Sequence, residues 1–348
     1  MEPIPRLTGL ATAVPAYRLE QEAVAERIRL LFAGTPGLDR LLPVFVNSGI
    51  RRRYAPVPLD WFARPHSWTE RNRLYLAAAV DLLESAAGRV LDRGGVAARE
   101  IGAVVVVSTT GIATPSLDAL VIDRMRLPAS VTRLPIFGLG CAGGVLGLAR
   151  AAALAATMPD KAVLFLVVEL CSLTFRRSDA SKSNIVGAAL FGDGAAAALL
   201  HCRGAGPAVV ASGEHTWPHS LDIMGWEVAE DGLKPVFSRD IPRLVAGGLG
   251  AIARDFLARH RFSLGDIDRF VCHPGGPKVI DAIEQAYGLT PGALTIARAV
   301  LRDFGNMSAA SVLFVLERLL AGDSGWNRAL LTALGPGFTA GFAVLGNA

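Results

Sequence analysis

One stretch near the middle of the chain limits how it can fold: Gly138-Leu-Gly-Cys141-Ala-Gly-Gly-Val-Leu-Gly-Leu-Ala-Arg-Ala-Ala-Ala-Leu-Ala155. A β-rich run over 131–137 precedes it, and its second half is rich in alanine and leucine. The pattern predicts a strand, a glycine turn and a helix, with Cys141 at the N-terminus of the helix. There the helix dipole and the unpaired backbone N–H groups favour a thiolate. A buried structural cysteine is the alternative.

Composition excludes several classes of protein. The 348 residues are 51% hydrophobic with 37 glycines, which suits a large buried α/β core. The net charge of +4 is scattered, so we expect no nucleic-acid partner. The four cysteines lack C-x-x-C spacing, which argues against a metal site and for a reducing compartment. With no leader-like start and no unbroken apolar run that would span a membrane, we expect a cytoplasmic protein.

Hydrophobic periodicity predicts alternating strands and helices. We predict strands over 7–14, 101–108, 162–173, 186–190, 195–200, 267–272, 328–334 and 339–345, and helices over 20–32, 70–87, 242–259, 277–287 and 308–320. Residues 51–70 are predicted as an ordered surface loop. Linker composition over 202–207 divides the chain into halves, 1–203 and 204–348. Similar turns around Phe191 and Phe338 indicate an internal duplication, each half supplying one layer of sheet.

Two more residues stand where an element meets a glycine turn. His273 ends a predicted strand before Pro-Gly-Gly, and Asn306 precedes a predicted helix. Taken singly, His273 reads as a packing residue and Asn306 as a helix N-cap. Together with Cys141 they make a nucleophile, an imidazole and an amide that can stabilise an oxyanion or enolate. Papain-like and α/β-hydrolase motifs do not fit the residues around Cys141.

At this point the sequence resembles the type III polyketide synthases, the chalcone-synthase-like branch of the thiolase superfamily. The resemblance covers almost the whole chain. It rests on Ala11-Thr-Ala-Val-Pro15, Gly-Cys141-Ala-Gly-Gly, Phe191-Gly-Asp-Gly, His273-Pro-Gly-Gly-Pro, Gly-Asn306-Met-Ser and Gly-Pro-Gly-Phe338. It implies an α/β, thiolase-like five-layer αβαβα fold built from two similar halves, one carrying the cysteine and the other the histidine and asparagine.

The resemblance also implies roles. Cys141 would carry the acyl chain, with His273 pairing with its thiolate, and His273 and Asn306 would bind the malonyl-CoA carbonyl. Phe191 would act as gatekeeper; a turn-packing aromatic is the alternative. The cavity would be lined by Thr109, Cys171, Thr174, Gly335, Pro336, Gly337 and Phe338. No metal or redox cofactor is implied, because loss of CO2 drives each condensation.

The chain departs from the plant enzymes at two places. Pro235 stands where they have a second gate phenylalanine, with Phe237 nearby. Of three basic CoA-binding positions only Arg40 remains basic, so Arg51 and Arg52, in the run 51–53, are further candidates for CoA binding.

The subgroup that the chain resembles indicates the product to expect. Cys171 and the segments Pro58-Leu-Asp-Trp61 and Trp68-Thr-Glu-Arg71 resemble bacterial alkylresorcinol and alkylpyrone synthases. We therefore expect a long-chain fatty acyl-CoA starter, malonyl-CoA extension and a homodimer, with a fatty acid synthase or carrier protein as a further acyl donor. The alternatives are a tetrahydroxynaphthalene-type or other small-starter synthase, and a ketoacyl-carrier-protein synthase III-like enzyme making one condensation.

Overall fold

The computed structural model describes residues 3–322 and 325–347. Its strands are β1 (Arg6–Ala13), β2 (Tyr17–Glu20), β3 (Arg52–Ala55), β4 (Ile101–Val107), β5 (Thr132–Ile136), β6 (Ala162–Leu170), β7 (Asp193–His201), β8 (Ala208–Thr216), β9 (Met224–Ala229), β10 (Gly232–Phe237), β11 (Arg269–Cys272), β12 (Arg328–Gly335) and β13 (Thr339–Gly346). Its α-helices are α1 (Gln21–Leu31), α2 (Leu38–Leu41), α3 (Pro43–Asn47), α4 (Trp68–Gly94), α5 (Leu117–Arg124), α6 (Gly143–Thr157), α7 (Lys182–Leu190), α8 (Ile241–Leu244), α9 (Gly250–Arg259), α10 (Pro277–Tyr287), α11 (Thr295–Phe304) and α12 (Ser311–Gly322).

The strands form two blocks that meet at one point. Nine strands follow the order β11-β12-β13-β8-β1-β7-β6-β4-β5, but β1 and β8 are joined through the single pair Arg6 and Ala208. One block therefore holds β1 and β4 to β7, and the other holds β8 and β11 to β13. Residues 202–207 connect β7 to β8, and the domain boundary at 203/204 stays a prediction.

Helices cover both faces of each block. Helix α4 packs on β1, β6 and β7, whereas α6 and α12 contact strands of both blocks. On the far side of the second block, Phe256 of α9 stacks on Phe342 at 5.1 Å, and Tyr287 of α10 packs on Phe270 at 5.4 Å. The layers thus run helix, sheet, helix, sheet, helix, and the predicted α/β thiolase-like architecture is confirmed.

Strand β4 is apolar throughout because both of its faces are buried. Val105 and Val107 face the core that contains α6, and Val104 and Val106 face the core that contains α4. Because successive side chains of a strand point to opposite faces, a strand covered on both sides needs an unbroken apolar run.

Helix α6 lies at the centre of the molecule. With the turn before it, Gly140–Thr157 is long and apolar enough to cross a membrane by length and composition, and 67% of it is buried inside the protein. One charged residue, Arg150, interrupts this stretch. Arg150 instead reaches the surface, where it pairs with Glu214 at 2.9 Å.

Several predicted elements need correction. Residues 186–190 were predicted as a strand but end helix α7, which Ser181 caps by accepting the Asn184 N–H at 3.4 Å. The predicted loop 51–70 contains β3 and a short 3-10 helix, Leu59–Ala63, whose Phe62 is buried. Helix α11 was not predicted. The helix predicted over 242–259 is confirmed, with a π-helical turn at Val245–Leu249.

Candidate active site

Cys141 lies in a tight turn directly before helix α6. The turn is a 3-10 segment, Gly140–Ala142, and Gly140 adopts a φ of 47°. The Gly140 N–H donates to Thr109 Oγ1 at 3.2 Å. A Cβ added to Gly140 would lie 2.5 Å from Pro336 Cδ, so only glycine allows the two loops to approach this closely.

The surroundings of Cys141 oppose ionisation of its thiol. Burial raises the pKa of Cys141 to about 12, and the Glu169 carboxyl adds to the rise, while hydrogen bonding to Ser308 opposes it. The thiol lies 3.7 Å from Ser308 Oγ. The helix N-terminus predicted a lowered pKa; desolvation outweighs it, although the side chain keeps some exposed surface.

Asn306 ties the separate parts of the site together. Its Nδ2 donates to the Gly275 carbonyl at 3.2 Å, and its Oδ1 accepts the Ser308 N–H at 2.9 Å. Its backbone pairs with that of Phe191: the Asn306 N–H donates to Leu190 O at 2.8 Å. The side chain therefore does more than cap the helix that follows.

His273 is buried with an unpaired ring. Its backbone N–H donates to the Thr332 carbonyl at 2.8 Å, which fixes the end of β11. Neither ring nitrogen has a hydrogen-bond partner among the described residues. A Cβ on Gly275 would lie 3.6 Å from His273 Nε2, so the ring faces the turn that Asn306 holds. Burial lowers the pKa of His273 to about 3. Burial thus opposes the charged form of both side chains, and the Cys141–His273 ion pair that the resemblance implies stays a prediction.

Glu169 is a member of the site that the sequence analysis missed. It lies at the end of β6, fully buried, where Oε2 accepts the Thr109 N–H at 3.0 Å and the Thr110 hydroxyl at 2.8 Å. Burial raises its pKa to about 7. A carboxyl within the otherwise apolar segment of β6 was the available signal.

Phe191 forms an aromatic cluster at the end of helix α7. Its ring centroid lies 5.6 Å from that of Phe237 and 5.9 Å from that of Trp226. Phe237 and Trp226 thus both place an aromatic ring beside Phe191, while the expected second gate position is Pro235. Arg53 donates to the Phe191 carbonyl at 2.9 Å and to the Ala189 carbonyl at 3.0 Å, as suits a cation at a helix C-terminus.

The remaining predicted lining residues fall into two groups. Thr109, Cys171 and Thr174 are buried, and the Thr174 hydroxyl donates to the Cys171 carbonyl at 2.7 Å. The second group is the loop between β12 and β13. Gly335 and Pro336 approach the turn that carries Cys141, the Gly337 carbonyl accepts from the Ser220 hydroxyl at 3.2 Å, and Phe338 packs on Trp217. Phe338 is fully buried, 4.8 Å from Trp217.

The predicted CoA-binding arginines do not reach this cluster. Arg40 on α2 and Arg51 before β3 are exposed. Arg52 lies 3.9 Å from Asp303. Arg53, in the same basic run, is buried under α7 and is not available to a phosphate. Within the described ranges, no group of three His, Cys, Asp or Glu side chains is arranged to hold a metal ion.

A cysteine, a histidine and an asparagine at the junction of two similar sheet blocks define a thiolase-like acyl-transfer enzyme. Comparison with known proteins refines this class. Residues 62–207 match the N-terminal domain of the chalcone and stilbene synthases, and residues 208–346 match the C-terminal domain. The chain therefore belongs to the chalcone and stilbene synthase family. It is a type III polyketide synthase, an acyltransferase that performs decarboxylative condensation.

Three relatives illustrate the similarity. The 1,3,6,8-tetrahydroxynaphthalene synthase of Streptomyces peucetius subsp. caesius is 40% identical over 97% of this chain and 92% of its own. The α-pyrone synthesis polyketide synthase-like Pks18 of Mycobacterium tuberculosis (strain H37Rv) is 28% identical over 90% of this chain and 83% of its own. The crystal structure of 1,3,6,8-tetrahydroxynaphthalene synthase from Streptomyces coelicolor A3(2) covers 98% of this chain and 99% of its own, with a TM-score of 0.94 and 28% identity. These names do not single out the alkylresorcinol-forming subgroup.

Proposed function

We propose that this chain carries an acyl starter on Cys141 and extends it with malonyl-CoA. The observation that supports the proposal best is the position of Asn306. Its amide contacts both the residue beside the Cys141 thiol and the turn after His273. A thioester on Cys141 and a carbonyl held by His273 and Asn306 would therefore lie side by side.

Acyl loading uses Cys141 as the nucleophile and His273 as its proton acceptor. The Cys141 sulfur attacks the starter thioester as its proton moves to His273. The new bond joins sulfur to the acyl carbon, the bond from that carbon to the CoA sulfur breaks, and His273 returns the proton to CoA.

Extension needs hydrogen-bond donors and no net proton transfer. The malonyl-CoA thioester oxygen accepts from His273 and Asn306, and cleavage of the bond to the carboxylate releases CO2 and leaves an enolate. The two donors stabilise its negative oxygen. The enolate carbon then attacks the acyl group, and Cys141 departs as a thiolate. Because loss of CO2 drives this step, the reaction proposed here requires no metal or redox cofactor.

For the substrate, we propose a long-chain fatty acyl starter and an alkylresorcinol or alkylpyrone product. The small Cys171 thiol leaves room where a larger side chain would close the cavity, and the lining around it is largely apolar. The relative named for α-pyrone synthesis fits this assignment. Exposed Arg40 and Arg51 are the proposed contacts for CoA phosphates.

A second candidate is a tetrahydroxynaphthalene-type synthase that uses malonyl-CoA alone. It is favoured by the 40% identity to the Streptomyces peucetius enzyme of that name. Mass spectrometry of products from malonyl-CoA, with and without acyl-CoAs of increasing length, separates the two. Long-chain pyrones or resorcinols, absent with Cys141→Ala, are expected; pentaketides from malonyl-CoA alone would replace the first candidate by the second. A single ketoacyl product would contradict both.

We also propose that the protein is a homodimer. Strand β5 ends the sheet, and its residues are partly or fully exposed. Phe137, which directly follows β5, is 60% exposed. Ile112, in the segment after β4, is 50% exposed. An unpaired edge strand flanked by apolar side chains favours pairing with a second copy. Sedimentation of the wild type and Phe137→Glu tests this: the wild type should be a dimer and the variant should dissociate. A monomeric wild type would contradict it.

The acyl-donating protein partner and the cytoplasmic location stay predictions.

A further inference from the structure

A cavity that the proposed reaction does not use lies between the 3-10 helix Leu59–Ala63, the start of α4 and the segment between β6 and α7. Its volume is about 150 Å³. Cavities of about this volume hold a ligand as large as benzene, so a phosphate group fits. None of the candidate catalytic residues lines it. We call it the arginine cavity, because its charged side chains are Arg64, Arg71, Arg176, Arg177 and Asp231, with His66 beside them.

The arginines of the cavity outnumber the carboxylates that neutralise them. Arg176 engages both nearby aspartates, because it pairs with Asp231 at 2.6 Å and with Asp179 at 3.2 Å. Arg71 is only 8% exposed, and its guanidinium donates to backbone carbonyls and to no carboxylate. Burial lowers the pKa of Arg71; Asp231 opposes this change and the charge of Arg176 adds to it. An anion in the cavity would compensate this buried charge.

Two more cations lie at the mouth with donors to spare. Arg177 is exposed, and its Nε donates to the Ala63 carbonyl at 2.8 Å, which holds the guanidinium in place and leaves its two Nη groups for a ligand. Arg64 is exposed and has neither a hydrogen bond nor an ion pair from its side chain within the described ranges. His66 is already engaged, because its ring nitrogens contact the Glu70 carboxylate at 2.7 Å and a backbone carbonyl at 2.9 Å.

We propose that the arginine cavity binds a phosphate group, which Arg64 and Arg177 contact at the mouth and which the charge of Arg71 attracts from behind. A guanidinium donates two parallel hydrogen bonds to two oxygens of one phosphate. A phosphate group also carries close to two negative charges at neutral pH, which suits a cluster in which three arginines have no carboxylate partner. A monocarboxylate would compensate only one of them.

The occupant of this site would support a segment that reaches the cavity around Cys171. Arg71 donates to the carbonyls of Leu173 at 3.3 Å and Phe175 at 3.1 Å. Phe62 and Phe175 line both the arginine cavity and the apolar cavity that includes Cys171. A ligand that binds only the folded protein stabilises it, so phosphate should raise the melting temperature.

Calorimetric titration with inorganic phosphate tests the proposal, with sodium chloride of equal ionic strength as the reference. We expect saturable binding at a single site per chain. Arg64→Gln and Arg177→Gln should each weaken it at least about tenfold, because each removes a charged hydrogen-bond donor. Both side chains are exposed, so neither substitution should prevent folding. Arg73→Gln is the matched control, because Arg73 is exposed on α4 outside the cavity and its loss changes the net charge equally.

Two results would overturn the inference: no saturable binding by the wild type, or equal weakening in Arg73→Gln and in the two cavity variants. Titration of CoA into the phosphate-bound protein identifies the source of the phosphate group, and both of its outcomes support the site. Competition would identify a phosphate of CoA, whereas independent binding would identify free phosphate or another phosphate ester. None of these measurements requires condensation, so they test the site separately from the proposed function.

Discussion

The buried imidazole of His273 should make the stability of this protein depend on pH. Burial lowers its pKa to about 3, whereas an unfolded chain has a histidine pKa of about 6.5. Between these values the unfolded state binds a proton that the folded state does not. The contribution of His273 is therefore fully present above pH 6.5 and is lost as the pH falls towards 3.

The size of the effect follows from the two pKa values. At pH 4.5 the unfolded state is favoured by about 3 kcal/mol relative to pH 7.5 through this one group. His273→Gln removes the titrating group. Buried Glu169 and Asp193, whose pKa values are raised to about 7, shift stability in the opposite direction but do so equally in both proteins. The comparison of variant and wild type therefore isolates His273.

Urea unfolding at the two pH values measures this difference. We expect the wild type to lose about 3 kcal/mol more than His273→Gln between pH 7.5 and pH 4.5, read from midpoints at equal slopes. His260→Gln is the matched control, because it makes the same substitution at an exposed histidine, at the C-terminal end of α9. Equal pH dependence in the wild type and His273→Gln would show that burial does not lower the pKa of His273.

Three other substitutions test separate contacts of the site. Glu169→Gln removes the carboxyl that raises the pKa of Cys141, so alkylation by iodoacetamide at pH 8 should become several-fold faster, since one pKa unit is about tenfold in thiolate. Asn306→Ala should reduce malonyl-CoA decarboxylation about 10²–10³-fold while acyl transfer to the cysteine persists, as measured by CO2 release and intact protein mass. Gly335→Ala places a Cβ 2.2 Å from the Leu139 carbonyl, and thermal unfolding should show a loss of about 1–3 kcal/mol.

Each of these substitutions has a result that would count against it. Unchanged or slower alkylation of Glu169→Gln would mean that hydrogen bonding of Glu169 matters more than its charge. Full decarboxylation by Asn306→Ala would remove the amide from the enolate site. Gly247→Ala is the control for the glycine substitution, because a Cβ there has no neighbour within 4 Å; equal melting of the two variants would contradict the close approach.

The fold was predicted correctly where a sequence pattern is compatible with only one local structure. The apolar run of β4 and the glycine turn before α6 each require a specific environment, and both are as expected. Residues 186–190 contain small and apolar residues that suit either a strand or a helix, and the cap at Ser181 decides for the helix. Such a local hydrogen bond is hard to recognise from an apolar pattern alone.

The site was predicted less completely than the fold. The positions of Cys141, His273 and Asn306 follow from motifs, but their protonation depends on how much water the fold removes from them. Burial is a property of the whole structure. It raises the pKa of Cys141, whereas the helix dipole alone would lower it. Burial also decides the role of Arg53. It belongs to the basic run 51–53, yet it is buried and donates to backbone carbonyls at the C-terminal end of helix α7.

The central claim is that Cys141 carries the acyl chain. Intact mass measurement of the protein after brief incubation with an acyl-CoA, followed by peptide mapping, tests this most directly. The account predicts one acyl group on the peptide that contains Cys141, none in Cys141→Ala, and loss of the label when malonyl-CoA is added. An acyl group on Cys171 instead, or product formation by Cys141→Ala, would contradict it.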